Sequence, residues 1–326
     1  MSGTFAYLGN AVVGSAIARG LESLGWSRSD DAAAADAVLT YFTHAGALED
    51  AYFETDGLVK RAREGALLVD LSPSTPSFIR ELSAVATVND LRFVEAPIAV
   101  ADPSMAEAFE RENVQSYLAS DDEGALGEAE ALVKSFAATV TKTGSCGMAQ
   151  LAKAACTAQV AAQVLGAVES HALFATAGAQ AKAASVPAQS PLAERMLASV
   201  SSDDFEGDYT VELFMGDVAA AMTVADDEGL ILPQLEATMH LLEVLAVIGG
   251  ADMSPAALTL LYRDEQASAD NGLDWTRAAG LFNDGHDHDH QHEHGHDDEG
   301  EYDDFDDYGE DDPFGFAGGF GGYSAN

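Results

Sequence analysis

The pattern of apolar and polar residues changes character at about residue 144. Before it, short apolar runs such as Thr4–Leu8 and Ala66–Leu71 alternate with segments of helical spacing such as Ser15–Leu24. Alternating strands and helices with glycine between them predict an α/β domain built on a mostly parallel sheet. Further strands are predicted at 36–42, 92–95, 114–119 and 139–143, and further helices at 47–63, 77–85 and 124–136.

The second strand of this predicted sheet is truncated or absent. Gly25–Asp31 is short and polar, and Ala32–Ala35 follows it at once with helical composition. Residues 96–101, after the strand that ends at Glu95, are predicted to be a loop.

From Gly147 onward the strand pattern disappears and an all-helical region is predicted. Its helices are expected at 148–178, 191–200, 209–228 and 233–248. The first helix carries few charges over its whole length, so it should be packed on several sides, and a homodimer is expected. The helical region continues to about residue 266.

The end of the chain differs in composition from both regions. Residues 269–326 contain few core-forming residues and are predicted to be disordered. The predicted organisation is therefore a Rossmann-like domain over residues 1–143, a helical dimerisation and substrate domain over 144–268, and an acidic, His-rich tail over 269–326.

Charge narrows the choice of partners. The formal net charge is −40, from 15 basic and 55 acidic side chains. Fifteen of the acidic residues and none of the basic ones lie in 281–326, so residues 1–280 are strongly acidic as well. Such a surface disfavours nucleic acid and anionic membranes, which bind basic patches.

Localisation is predicted from what the sequence does not show. No apolar run reaches the ~18 uninterrupted residues of a membrane span, and the first residues lack the basic flank of a signal peptide. Two cysteines, Cys146 and Cys156, are too few for a disulfide framework. A soluble cytoplasmic protein is expected, with a small molecule as its partner.

A glycine turn joins the first strand to the first helix. Glycines at its two ends permit a tight turn, and the N–H groups at the start of the helix can face a pyrophosphate. Ala11 stands where the dinucleotide fingerprint has its middle glycine, and an ordinary tight turn is the alternative. The residues assigned to NADP or NAD here are Gly9, Asn10, Ala11, Val12, Val13 and Gly14.

Four further residues are assigned to the cofactor. Arg28 can hold a 2′-phosphate and favours NADP, whereas Asp30 or Asp31 can hold a ribose hydroxyl and favours NAD. NADP is preferred of the two; the alternative is that all three are cap and turn residues. Phe42, Thr43 and Ser72 follow strand ends, so they should lie on the same rim of the sheet as the glycine turn.

Lys153 is the leading candidate for chemistry. It follows the glycine turn Gly144–Gly147 and is the one basic residue in the long alanine-rich helix before Lys182. An amine can donate and accept a proton during catalysis. The alternative is a lysine on a solvated helix surface.

Five blocks in order resemble the β-hydroxyacid dehydrogenase family, which includes 3-hydroxyisobutyrate and 6-phosphogluconate dehydrogenases. The resemblance spans about residues 4–266 and implies an NAD(P)-dependent oxidoreductase in which Lys153 exchanges a proton with the substrate hydroxyl. In the α/β region, Gly9–Gly14 resembles the cofactor loop, Val69–Ser72 resembles the family's D-x-S-T and Glu95–Pro97 resembles its D-A-P. In the helical region, Gly144–Lys153 resembles the lysine motif, and Gly216–Asp217 with Gly229–Pro233 resembles K-D and G-x-x-x-P.

The chain also departs from the family pattern. The family holds its substrate with an asparagine one helical turn after the lysine, where this chain has Thr157. The carboxylate-binding S-G-G is replaced by Ala99–Ala101, and the lysine of K-D is Gly216. Either the substrate lacks a carboxylate or the active site has decayed.

The tail carries a second candidate chemistry. Closely spaced imidazoles beside carboxylates can bind Ni²⁺, Zn²⁺, Co²⁺ or Cu²⁺; otherwise the tail is simply solvated. Two functional hypotheses follow: an oxidoreductase acting through Lys153 and Thr157, and a catalytically degenerate family member that binds or regulates through a metal-binding tail. The candidate metal ligands are His286, His288, His290, His292, His294 and His296.

Overall fold

The computed structural model describes residues 3–178 and 187–280. The α/β part contains an eight-stranded sheet with helices on its faces. Its strands are β1 Thr4–Gly9, β2 Ser27–Arg28, β3 Ala37–Tyr41, β4 Leu67–Asp70, β5 Arg92–Glu95, β6 Ile98–Val100, β7 Val114–Ala119 and β8 Thr139–Gly144. Its helices are α1 Ala11–Ser23, α2 Ala45–Phe53, α3 Leu58–Arg61, α4 Pro76–Val88 and α5 Glu123–Val133, with a 3₁₀ turn at Arg111–Asn113.

The sheet is mixed, with a parallel half that matches the predicted class. Strands run in the order β2-β1-β3-β4-β5-β7-β6, and β8 pairs with β7. Neighbours from β2 to β5 are parallel, whereas β7 is antiparallel to both β5 and β6. The carboxyl ends of β1, β3 and β4 therefore share one edge, where ligands bind in such sheets.

Two predictions about this region need correction, and a third, the truncated second strand, is confirmed. The predicted helix 47–63 is two helices, α2 and α3, separated at Gly57, where an added Cβ would lie 2.4 Å from the Tyr52 carbonyl oxygen. The predicted loop at 96–101 contains β6, which pairs with β7. The second strand exists, but as the two residues of β2.

The helical part follows at Met148, as predicted. Its 31-residue helix α6 packs against the sheet on one side and against the other helices along its length. The remaining elements are α7 Pro191–Ser202, α8 Val211–Asp227, α9 Pro233–Leu245, a π turn at Ala246–Gly250, α10 Glu265–Asp270 and 3₁₀ segments at Pro255–Tyr262 and Trp275–Gly280.

Ordered structure extends past the predicted boundary at residue 268. Leu273 is 3 % exposed and joins the same hydrophobic cluster as Phe5 and Phe214. The described residues 3–178 and 187–280 belong to one compact unit, and the α/β and helical parts share a core. The rest of the predicted tail lies outside the described residues.

Among residues 3–178 and 187–280, one helix is long and apolar enough to cross a membrane by length and composition alone. It is α6, with a mean hydropathy of 1.3 within Met148–Ala177, so the expectation that no apolar run approaches the length of a membrane span needs correction. The helix also buries Gln150, Lys153 and Thr157 among other parts of the chain. A helix packed inside a folded protein passes the same test.

Candidate active site

The turn after β1 has the backbone geometry that a dinucleotide loop needs at two of its three glycine positions. Gly9 has φ +124°, and a Cβ there would lie 1.9 Å from the Tyr41 carbonyl oxygen. A Cβ on Gly14 would lie 2.5 Å from the Tyr7 ring, so glycine permits α1 to pack closely on β1. Ala11, at the middle position, is exposed.

Asn10 occupies part of the anion-binding end of α1. As the N-cap, it accepts hydrogen bonds from the Val12 N–H at 2.9 Å and the Val13 N–H at 3.2 Å through its side-chain oxygen. These are the donors that a phosphate at the helix start would use. A bound pyrophosphate would therefore have to displace the Asn10 side chain or use the N–H of Ala11.

A cavity of about 290 Å³ lies between the rim of the sheet and α8. Thr43, after β3, and the segment Pro73–Thr75, after β4, form one wall, and Gly216 and Ala220 of α8 form the other. A Cβ on Gly216 would lie 2.7 Å from Thr43 Cβ and 2.9 Å from its carbonyl oxygen. The absence of a side chain at 216 thus permits the close approach of α8 to the rim.

Buried polar groups fix the rim itself. Ser72 donates to Asp70 Oδ1 at 2.6 Å and accepts from the Phe42 N–H at 3.0 Å, which ties the ends of β3 and β4 together. Thr40 also donates to Asp70, at 2.9 Å. Burial raises the pKa of Asp70 to about 6, and the Ser72 and Thr40 hydrogen bonds limit the rise.

Glu95 connects the sheet to the start of α6. Its carboxylate accepts from the N–H groups of Gly147, Ala149 at 3.3 Å and Gln150 at 3.2 Å. These donors belong to the positive end of a long helix, where a carboxylate is stabilised. Burial nevertheless raises the pKa of Glu95 to about 7.

Gln150 holds the same helix end against the rim. Its side chain accepts from the Ser74 N–H and donates to the Ser72 carbonyl oxygen, each at 3.0 Å. Gln150 lies nearly one helical turn before Lys153, so these bonds and those of Glu95 fix the position of the lysine on α6.

Lys153 is buried and paired, which contradicts the alternative of a solvated helix surface. Its Nζ donates to Asp217 Oδ2 at 2.5 Å, and the side chains of the two residues are 5 % and 3 % exposed. Tyr209 OH donates to the same Oδ2 at 2.5 Å. Burial is the main cause that raises the pKa of Tyr209 well above its usual value, and the Asp217 charge adds to it, so Tyr209 remains a neutral donor.

Thr157 faces the same group of side chains. It lies one turn after Lys153, and a cavity of about 10 Å³ is lined by Lys153, Thr157, Tyr209 and Asp217. Thr157 Oγ1 and Asp217 Oδ1 are both buried, and neither has a hydrogen-bond partner among the described residues. The structure thus brings together the two predicted catalytic residues.

Two residues of this group, Asp217 and Tyr209, have no role in the functional hypotheses from sequence. Asp217 stands at the aspartate of the K-D motif, beside Gly216, and that match is the only sequence signal for it. Tyr209 lies just before α8, although the sequence pattern predicts it inside a helix. An edge contact with Phe109 at 6.1 Å and a tilted contact with Phe214 at 5.9 Å between ring centroids hold it in the cluster. No local pattern marks such a contact.

The other predicted site residues lie apart from this cluster. Arg28 is exposed in β2, and Asp31 accepts from the Ala33 N–H at 2.9 Å, as a turn residue does. Within 3–178 and 187–280, no group of three His, Cys, Asp or Glu side chains is arranged to hold a metal. The six candidate ligands from His286 to His296 lie outside the described residues.

A nicotinamide dinucleotide fits the rim in part. Gly9 and Gly14 give the turn its backbone shape, and the cavity beside Thr43 provides space next to the Lys153 cluster across α8. Asn10 and Ala11 narrow the phosphate end. The turn and the cavity therefore suit a nicotinamide dinucleotide, but its pyrophosphate would need contacts other than the Val12 and Val13 N–H groups that Asn10 occupies.

Comparison with known proteins agrees with this arrangement. Residues 10–147 match the family model described as the NAD binding domain of 6-phosphogluconate dehydrogenase. The uncharacterized oxidoreductase YkwC of Bacillus subtilis is 24 % identical over 70 % of this chain and 79 % of its own. The NAD-dependent L-serine dehydrogenase of Pseudomonas aeruginosa is 22 % identical over 74 % of this chain and 83 % of its own.

A solved structure shows the same fold. The 3-hydroxyisobutyrate dehydrogenase of Mycobacterium tuberculosis, determined with L-serine, superimposes with a TM-score of 0.62 at 20 % identity, covering 81 % of this chain and 100 % of that one. The matched NAD-binding region, the full-length relatives and the fold agree with the five sequence blocks. Together these findings support a member of the β-hydroxyacid dehydrogenase family.

Proposed function

We propose that the protein is an NAD(P)-dependent oxidoreductase that acts on a small molecule, with Lys153 as its general acid and base. The observation that supports this most is the buried set of Lys153, Asp217, Tyr209 and Thr157 around one small cavity. A lysine is rarely buried without a purpose, because its charge must be paired and hydrogen-bonded there.

The chemistry divides between cofactor and protein. When bound, a nicotinamide dinucleotide donates hydride to a carbonyl carbon or accepts it from an alcohol carbon. Lys153 donates a proton to the carbonyl oxygen as the carbon gains hydride, so that the carbonyl becomes an alcohol, and the reverse reaction returns that proton to the lysine. Asp217 and Tyr209 hold the ammonium in place, and Thr157 offers a hydroxyl to the reacting oxygen.

NADP is the cofactor that the β2 segment favours. Arg28 is exposed at the sheet edge, and it has no ion pair among the described residues. Asp31, the competing ribose ligand, already accepts a backbone N–H in its own turn. A 2′-phosphate would find a free guanidinium in this position.

A homodimer is the expected assembly. One face of α6 is exposed from Met148 to Leu173, with one charged residue, Glu169, one amide, Gln159, and otherwise small or apolar residues at helical spacing. Leu173 is 73 % exposed. A second copy of this helix would cover the face by close helix packing.

The remaining expectations rest on the sequence. We propose a cytoplasmic protein without nucleic acid or membrane partners, because its charge of −40 repels both.

We also propose that the histidines of the tail bind a divalent metal. Calorimetric titration of Ni²⁺ and Zn²⁺ into the full chain and into a chain ending at residue 283 tests the metal site; equal heats in both would reject it.

A catalytically degenerate binding protein is the second candidate. The observation that favours it is Asn10, which occupies two N–H groups of the phosphate-binding helix end. This candidate requires that the nicotinamide cofactors do not bind.

One experiment separates the two candidates. NADH and NADPH are titrated into the full chain, into Lys153→Met and into Asn10→Gly, following nicotinamide fluorescence and heat. We expect micromolar binding in the wild type, unchanged binding with at least about 100-fold slower turnover in Lys153→Met, and tighter binding in Asn10→Gly. Absence of binding in all three supports the degenerate protein; binding with full turnover in Lys153→Met removes the role of the lysine.

A further inference from the structure

The cavity beside Lys153 admits only the reacting end of a ligand. Its volume of about 10 Å³ holds about one water molecule. Its apolar wall is formed by Ala99 and Val100 of β6, Val160 of α6 and Phe214 of α8. The atoms that a ligand places there must be compatible with the charges and hydrogen-bonding groups on the opposite wall.

The charges on that wall already balance. Lys153 is the one cation among the residues that line the cavity, and Asp217 neutralises it at 2.5 Å. A carboxylate on the ligand would bring a second negative charge into a buried site that has one positive charge. Such a charge is costly to desolvate unless it is paired.

The β6 segment that lines the cavity has no hydrogen-bond donors on its side chains. Ala99–Ala101 carries methyl and isopropyl groups only. Backbone donors around it are also used: Ile98 N–H bonds the Leu71 carbonyl oxygen, and Ala101 N–H bonds the Asn113 carbonyl oxygen at 2.9 Å. At this wall an anionic oxygen would meet only apolar side chains, and the cation across the cavity, Lys153, is already paired with Asp217.

The unpaired atoms of the cavity require a donor from the ligand. Asp217 Oδ1 is buried and has no partner among the described residues, and an ionised carboxylate oxygen can only accept. Thr157 Oγ1, also without a partner, can accept as well. A hydroxyl or amine on the ligand would satisfy both atoms.

We propose that the substrate carries no carboxylate and presents a hydroxyl or amine to Asp217, so that the enzyme acts on neutral or cationic alcohols, or on their carbonyl products, and not on hydroxy acids. The inference rests on the proposed oxidoreductase function. The strongly acidic surface acts in the same direction, since it repels anionic ligands and attracts cationic ones.

A matched series of ligands tests the proposal. L-serine, L-serinamide and serinol share an amine and a hydroxymethyl group and differ in the carboxylate. Binding of each to the full-length protein is measured by calorimetry in the presence of saturating NADP⁺, and nicotinamide reduction is followed with the same compounds. We expect serinamide and serinol to bind at least 10-fold more tightly than serine; equal or tighter binding of serine, or no binding of the other two, overturns the proposal.

A variant tests the role of the β6 segment, and nicotinamide binding distinguishes failure of this proposal from failure of the proposed function. Ala99→Ser places a hydroxyl donor at the apolar wall of the cavity, and we expect serine to gain at least 10-fold in affinity while serinamide does not. Improvement for both ligands alike overturns the role of this segment. Lack of nicotinamide binding in the wild type would contradict the proposed function itself, and the binding series without cofactor would then decide the ligand class.

Discussion

Single residues at this site combine a packing role with a chemical one. Asp217 is the clearest case, since its Oδ2 accepts from both Lys153 and Tyr209 while its Oδ1 faces the cavity. Loss of either partner of a buried ion pair leaves an unpaired charge. The pair is therefore expected to matter for stability as well as for turnover.

Asp217→Leu is expected to lower the free energy of unfolding by about 3 to 5 kcal/mol, because Lys153 remains buried without its counter-charge. The double variant Lys153→Met with Asp217→Leu should recover a large part of that loss, since both charges are removed together. Urea unfolding followed by circular dichroism measures the free energy of unfolding of four proteins: the wild type, Asp217→Leu, Lys153→Met and the double variant. A double variant as unstable as the sum of two singles would mean that the two side chains act independently.

Sequence is most informative where one residue type has one local meaning. The close contacts that a side chain would make at Gly9 and Gly14 agree with the predicted tight turn, and Lys153 stands out in the sequence because it is isolated among alanines. Tyr209 was missed because its contact with Asp217 depends on how α8 packs against α6. Contacts of this kind depend on tertiary packing and leave no period in the sequence.

At the scale of elements, α6 depends on the sheet for its start. Three of its first N–H groups bond the Glu95 carboxylate, and Gln150 ties it to the loop after β4. Element boundaries were predicted well for α6, which has a clear start at the glycine turn. They were predicted poorly for β6, whose three apolar residues resemble a buried loop.

The buried Glu95 predicts a pH dependence of stability. Its pKa is about 7 in the folded protein and 4.5 in the unfolded chain, so the folded state binds more protons between these values. The contribution of Glu95 to the free energy of unfolding should therefore fall as the pH rises from about 4.5 to about 7. Below pH 4.5 this contribution should be constant.

Glu95→Gln isolates that contribution from the other acidic groups. Denaturant unfolding between pH 5 and pH 8 should show a shallower decrease of stability for the variant than for the wild type, with a difference of a few kcal/mol across the range. Glu112→Gln, at an exposed position, is the matched control and should follow the wild type. Parallel curves for wild type and Glu95→Gln would show that Glu95 has the same pKa in both states.

The close contact between α8 and the rim makes a second prediction at this scale. Gly216→Ala places a methyl 2.7 Å from Thr43 Cβ and should lower the free energy of unfolding by about 1 to 3 kcal/mol. Gly127→Ala in α5 is the control, because its added methyl meets open space, and it should stabilise by about 0.5 to 1 kcal/mol. Equal Tm values for the two variants would show that α8 can move away from Thr43 at no cost.

For the whole molecule, acidity and self-association act against each other. Residues 1–280 contain 40 acidic and 15 basic side chains, and the proposed dimer would bring two such surfaces together across α6. The Debye length, beyond which exposed charges are largely screened, falls from about 10 Å in 0.1 M salt to about 3 Å in 1 M salt. Salt should therefore strengthen the dimer.

Sedimentation equilibrium in 0.1 M and 1 M NaCl is expected to show a dissociation constant at least 10-fold lower at the higher salt. Ala162→Arg, on the exposed face of α6, should weaken association at both concentrations, whereas Ala106→Arg, exposed after β6, should not. A monomer under all conditions, or equal effects of the two substitutions, would reject α6 as the pairing face.

The contact at Gly216 also limits which residues this position can accept. The family that the sequence resembles has a lysine in the matching motif, whereas here an added Cβ would lie 2.7 Å from Thr43 Cβ and 2.9 Å from the Thr43 carbonyl oxygen. Gly216→Lys alone would therefore disrupt packing before its amine could reach a ligand at the rim. Because one of the two contacts is with backbone, room for a side chain at 216 requires α8 to move away from the rim, and a smaller residue at 43 would not provide it.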